Sequence, residues 1–116
     1  MLGAERVAYS AAVDAAGASQ SWANAPEIRE GMVRAARASR APTFLFQAKN
    51  DYDLTPTKLL SKAMRDAGKI AEMKIYPPSG DSEKDGHGFA WRGGRIWGPD
   101  VLAFMDQHCR RSPRPE

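Results

Sequence analysis

The stretch APTFLFQAKNDYDLTP, residues 41–56, decides how the chain folds. Residues 43–48 are almost continuously apolar, carry two phenylalanines and follow Pro42. A run this short and uniform predicts a strand buried on both faces, as inner strands of a parallel sheet are. The polar KNDYDLTP predicts a loop. Thr55 can cap the next helix, and Pro56 suits its first position, where a missing N–H costs nothing. Leu59, Leu60, Ala63, Met64 and Ala67 then recur on one face, and Gly68 supplies the stop.

Downstream, AEMKIYPP (71–78) alternates, with Met73 and Ile75 pointing one way and Lys74 and Tyr76 the other. That predicts a strand with one solvated face near a sheet edge, ended by Pro77 and Pro78. A last helix is expected from near Pro99. Its inner stripe would be Val101, Leu102, Met105 and Cys109, with Phe104 on the border. Upstream, PEIREGMVRAARAS (26–39) reads as a helix burying Ile28, Met32, Val33 and Ala36, although Gly31 is a poor helix former. VAYSAAVDAAG (7–17) reads two ways. Its alanines favour a helix, while Val7, Tyr9, Val13 and Gly17 allow a strand. From residue 26 the order is helix, strand, helix, strand, helix. Such connections imply an α/β fold, a short parallel sheet with helices packed on it. No repeat or linker divides the chain.

The 116 residues suffice for a core without staples, and 42% hydrophobic with 27% charged residues is ordinary for a globular domain. A single Cys109 excludes an internal disulfide and fits a reducing compartment. The net charge of +3 owes much to CRRSPRPE (109–116). Elsewhere Lys and Arg are interleaved with Asp and Glu, so no basic stripe for nucleic acid is expected. No apolar run has the length of a membrane span, and MLGAERV is not a signal peptide. The expectation is a soluble cytoplasmic protein. Two histidines without Cys or carboxylate at metal spacing imply no metal site, and nothing implies a cofactor. Trp22, Trp91 and Trp97 read as core or loop anchors rather than substrate platforms.

In parallel sheets functional groups collect at the carboxyl ends of strands. Asp51 and Asp53 follow the first clear strand. His87 follows the second, in EKDGHGFAWRGG (83–94). A loop aspartate most often caps a turn, and a histidine between glycines is most often a polar turn residue. Acid and histidine after successive strands nevertheless form the late part of the hydrolase order Ser, Asp, His. A carboxylate that accepts the imidazole Nδ1–H fixes the tautomer and leaves Nε2 free to take a proton from a nucleophile. The flanking glycines permit close approach and unusual dihedrals.

Over residues 10–108, APTFLFQAKNDYDLTP, MKIYPPSG, DGHGF and the closing IWGPDVLAFMDQH together resemble the C-terminal half of α/β-hydrolases of the dienelactone hydrolase type. The resemblance implies that Asp51 is the triad acid and His87 the triad base. It makes AAVDAAG (11–17) the strand before the acid-bearing one, and SQSWANAP (19–26) a loop over the active-site mouth. Family members carry their Ser or Cys nucleophile in a G-x-S-x-G or G-x-C-x-G elbow ahead of the acid, and none is present. Ser10 and Ser21 lack the glycines of such a turn, and Cys109 comes after His87.

Residues 1–110 therefore read as the C-terminal part of a hydrolase domain, a partial fold of about three strands, and residues 111–116 as a polar tail. The expected function is a fragment or split half of a carboxylic-ester or lactone hydrolase, inactive alone. The alternative is a non-catalytic module that binds itself or a partner. A third reading is a complete catalyst using Ser10 or Ser21. Because the strand near residues 11–16 would lack one neighbour, its edge predicts a homo-oligomer.

Overall fold

The computed structural model describes residues 11–108, so Ser10, Cys109 and the terminal tail lie outside the described residues. Strands β1 (Ala12–Ala15), β2 (Thr43–Ala48) and β3 (Ala71–Tyr76) form one all-parallel sheet in the order β1-β2-β3. Ala12 pairs with Thr43 and Thr43 with Ala71, so the three strands start level. Helix α1 (Pro26–Ala38) connects β1 to β2, and α2 (Thr55–Asp66) connects β2 to β3. Within the ambiguous first segment, Ala12–Ala15 is thus a strand. A 3-10 turn over Trp22–Asn24 precedes α1.

β2 is buried at every position, as its composition predicts. Its alternating side chains serve two cores. Leu45 packs with Trp22, Ala36, Leu60, Ala63 and Met64 under α1 and α2. Phe44, Phe46 and Ala48 face the opposite way, toward Tyr76, Phe89, Val101 and Phe104. Phe46 is the hub of that second core. Its ring lies 5.0 Å from Trp97, 5.8 Å from Tyr76 and 6.1 Å from Phe89. Each such aromatic pair contributes about 0.5–1.5 kcal/mol beyond the area it buries.

Several expectations change. Tyr76 is buried although Glu72 and Lys74, on the same side of β3, are exposed. The reason is α5 (Gly94–His108), which crosses the end of that strand. The Tyr76 hydroxyl donates to Asp100 Oδ2 at 2.6 Å, and Lys74 Nζ donates to the same oxygen at 2.9 Å. Those two bonds, Tyr76 first, hold the Asp100 carboxyl below its usual range. Helix α5 begins at Gly94, five residues before Pro99. The Gly93 carbonyl accepts the N–H groups of Ile96 and Trp97 and starts the turn that Pro99 then continues. Pro99 therefore lies inside the helix rather than at its start, and without an N–H it cannot make the intrahelical bond to the Arg95 carbonyl. The stripe of α5 that packs inward is Trp97, Val101 and Phe104, with His108 stacked on Phe104 at 4.4 Å. Leu102, 68% exposed, and Met105 point outward. Ile28, Leu59 and Ala67 are likewise exposed rather than core. The Gly-rich segment is not a plain loop: it forms α3 (Glu83–His87) and α4 (Phe89–Arg92). No described helix is long and apolar enough to cross a membrane.

Gly31 sits inside α1, and a Cβ placed there would meet nothing within 4 Å. Gly31→Ala removes the entropy cost of a helical glycine without a clash. It should stabilise the fold by about 0.5–1 kcal/mol, read as a higher urea midpoint at unchanged m-value.

Candidate functional site

The loop after β2 is tied down before it reaches the site. Lys49 N–H donates to Tyr76 O at 2.8 Å, and Asp51 N–H to Ala48 O at 3.0 Å. Asn50 joins this loop to the one after β3. Its Nδ2 donates to the carbonyls of Ser79 and Ser82, each at 2.8 Å, and its Oδ1 accepts Ser79 N–H at 2.9 Å. Ser82 caps α3 by accepting Asp85 N–H at 3.1 Å, and Asp85 Oδ2 accepts Asp81 N–H at 3.0 Å. Gly86 completes the junction. A Cβ there would lie 2.5 Å from Asn50 C and 2.6 Å from Asp51 N. Only glycine lets α3 rest on the acid-bearing loop this closely. Gly88, by contrast, has ordinary helical φ, so the second glycine is not there for an unusual dihedral.

Asp51 and His87 meet as expected, with Nδ1 to Oδ1 at 3.1 Å. The Asp51 side chain has no exposed surface, while that of His87 is partly exposed. Asp51 Oδ1 also accepts Tyr52 N–H at 2.6 Å and the Ser19 hydroxyl at 3.0 Å. Oδ2 accepts Gln47 Nε2 at 3.0 Å, and the same amide reaches Asp53 O at 2.8 Å. Asp53 itself caps a turn, its Oδ1 accepting Thr55 N–H at 2.9 Å. That bond replaces the cap expected from Thr55.

Ser19 was not singled out by the sequence. Its Oγ lies 2.9 Å from His87 Nδ1. A hydroxyl has one proton, and Ser19 gives it to Asp51. The Nδ1–H of His87 must then be the donor, shared between Ser19 Oγ and Asp51 Oδ1. In the neutral ring Nε2 then carries no proton, and it makes no hydrogen bond among the described residues. Ser19 is buried and sits at the nitrogen that the acid also holds, so it orients the ring and cannot be the group that Nε2 activates. Ser21 makes no side-chain hydrogen bond among the described residues. The imidazole lies between Tyr52 and Trp91, each ring centre 5.7 Å away, Trp91 edge-on. Trp91 is 66% exposed, so it borders the site, whereas Trp22 belongs to the Leu45 core and Trp97 packs against the Phe46 core on the other face.

The connection that brings Ser19 into place is bent. Ala16 and Ala18 have φ of 61° and 65°, a region costly for a residue with a Cβ. Asp14, buried beside Leu45 in the register, accepts Gly17 N–H on Oδ1 at 2.9 Å, while its Oδ2 has no partner among the described residues. Burial raises the Asp14 carboxyl above its ordinary range, and the Gly17 bond opposes that only in part. The sequence signal available for this turn was the small-residue run AAGAS (15–19), which marks a bend but not its target.

Comparison with family models, with curated proteins and with solved structures returns no match. The fold and site therefore define a class only: a small parallel α/β unit with an acid–histidine pair at its strand ends.

Gly86→Ala should cost about 1–3 kcal/mol by overpacking. It should also separate the two loops, seen as loss of the low-field His87 Nδ1 proton in NMR spectra of the folded variant. Asp14→Asn keeps the acceptor for Gly17 while removing a buried charge. Because the folded pKa is raised, the ionised form costs stability once pH exceeds it, and the cost vanishes below the unfolded value. The variant should therefore unfold at higher urea than the parent at neutral pH, with the gap closing in acid.

Proposed function

We propose that this chain supplies the acid and histidine of a carboxylic-ester or lactone hydrolase of the dienelactone hydrolase type. The nucleophile would be a Ser or Cys borne on polypeptide outside these 116 residues. The observation that carries this reading is the proton inventory at His87: Nδ1–H is engaged by two oxygens, and Nε2 is open at the strand ends. In such a reaction Nε2 accepts the hydroxyl or thiol proton as that atom attacks the acyl carbon. It then passes the proton to the departing alkoxide, and a water repeats the sequence to release the acid. Asp51 stabilises the imidazolium that forms between the steps, and Ser19 holds its plane.

Among the described residues β1 has a strand partner on one side, and this supports the same reading, because a strand from the elbow-bearing segment would pair on the other. A second reading has that edge taken by another copy of this chain, as a non-catalytic homo-oligomer. Exposed Val13 on β1 and Leu102 and Met105 on α5 favour coverage of some kind.

The experiment fuses the elbow-bearing N-terminal half of a dienelactone hydrolase ahead of residues 11–116 and assays a p-nitrophenyl ester. Turnover should appear in the folded fusion and fall about a thousandfold or more in His87→Ala. A folded fusion that is inactive, or one indifferent to His87→Ala, overturns the proposal. Light scattering on the chain alone distinguishes the second reading, which requires a stable dimer or larger species at micromolar concentration.

A further inference from the structure

Away from the Asp51–His87 pair, the surface between α1 and α2 holds a groove of about 470 Å³, within the size range of small-molecule sites. Its floor is apolar, made by Trp22 below, Val33 of α1 and Leu59 of α2. Trp22 is buried, while Leu59 is exposed despite being a large aliphatic residue. Three arginines border that floor. Arg29 and Arg37 stand one helical turn either side of Val33, and Arg34 lies on the adjoining row. A smaller hollow of about 180 Å³ continues past Val33 and Leu59 toward Lys62 and Asp66, which pair with each other at 2.7 Å.

The charges around the groove are not balanced. Glu30 is the acidic residue that lines it, against three guanidinium groups. Arg29 spends Nη1 on the carbonyls of Trp22 and Ala23, at 2.7 and 3.1 Å, which anchors its head at the groove's end. Its remaining N–H donors make no hydrogen bond among the described residues. Arg34 and Arg37 make neither an ion pair nor a side-chain hydrogen bond among the described residues.

We infer that this groove binds an organic carboxylate with an apolar body, such as a medium-chain or aryl carboxylic acid. The guanidinium fork matches a carboxylate in two parallel hydrogen bonds. The Trp22–Val33–Leu59 floor takes the hydrocarbon part. A neutral apolar ligand would leave the arginines uncompensated, and a bare inorganic anion would leave the floor wet. A nucleic-acid backbone needs a continuous basic track, and here the basic residues surround an apolar hollow. The inference is independent of the hydrolase reading. The two regions do share one connection, for Trp22 lies three residues beyond Ser19 and reports on the groove directly.

The test titrates the full chain with octanoate and with 1-naphthoate at low ionic strength, by calorimetry and by tryptophan fluorescence in a Trp91→Phe background. Saturable binding is expected, weakened about ten- to a hundredfold in Arg34→Gln/Arg37→Gln. Both substituted positions are exposed, so circular dichroism of that variant should match the parent. Val33→Asp should weaken binding too, and octanol and inorganic phosphate should each bind at least about tenfold less tightly. Affinity unchanged in the double arginine variant overturns the inference. So does phosphate binding as tightly as octanoate, or binding to anionic vesicles with none to the free acids.

Discussion

A carboxylate with no exposed surface is the constraint around which this molecule is arranged. Removing such a group from water costs several kcal/mol unless its oxygens are fully engaged. Asp51 meets that demand with four donors from four parts of the chain: Ser19 after β1, Gln47 within β2, Tyr52 beside it and His87 at the end of α3. Together they offset the cost of burying the charge. That requirement explains why a glutamine occupies a fully buried strand position, and why two loops 29 residues apart in sequence are bound together through Asn50. The same arrangement that makes the ion tolerable also fixes the proton of His87. Structural need and the proton geometry on which the proposed function rests coincide here.

Much of the frame is written in local patterns. The uniform apolar run of β2, the Thr-Pro start of α2 and the alternation of β3 each depend on neighbours in sequence, and each locates its element. Asp51 and His87 are legible because position after a strand is also a local property. What escapes is whatever depends on contact across long separations. Ser19 reaches His87 over 68 residues, and its serine looks like any other in a small-residue stretch. Gly86 resembles a turn glycine until the backbone of Asn50 and Asp51 is found against it. Periodicity on α5 misplaced Leu102 and Met105, because a helix lying on only part of a sheet buries a narrower stripe than its apolar content suggests. Alternation puts Tyr76 on the same side as Lys74 but carries no knowledge of what packs over the strand's end.

The two faces of the sheet carry different unfinished business. On the side of Phe44 and Phe46, α5 covers β2 and the end of β3 but leaves Val13 of β1 exposed. On the side of Leu45, α1 and α2 close the core and then open outward into the arginine-bordered groove. A strand or chain completing the first face would not obstruct a small acid in the second. The two proposed occupants therefore would not compete for the same surface.

The bent connection after β1 has a consequence for how the site behaves in time. β1 has four residues and, among the described residues, pairs along one side only, and the turn that follows holds two alanines in an unfavourable backbone region. Asp51, Asn50, Gly86 and His87 belong instead to β2, β3 and the loops that follow them. The arm that carries Ser19 is thus held to the sheet less extensively than the β2–β3 pair that positions Asp51 and His87, which favours its local opening. When that arm opens, Nδ1–H of His87 keeps its carboxylate but loses its second acceptor, and the imidazole gains rotational freedom. The alignment of Nε2 is then a population rather than a fixed state, set by the free energy of docking one short strand. Anything that pairs with the free edge of β1 would raise that population from a distance, without touching the histidine.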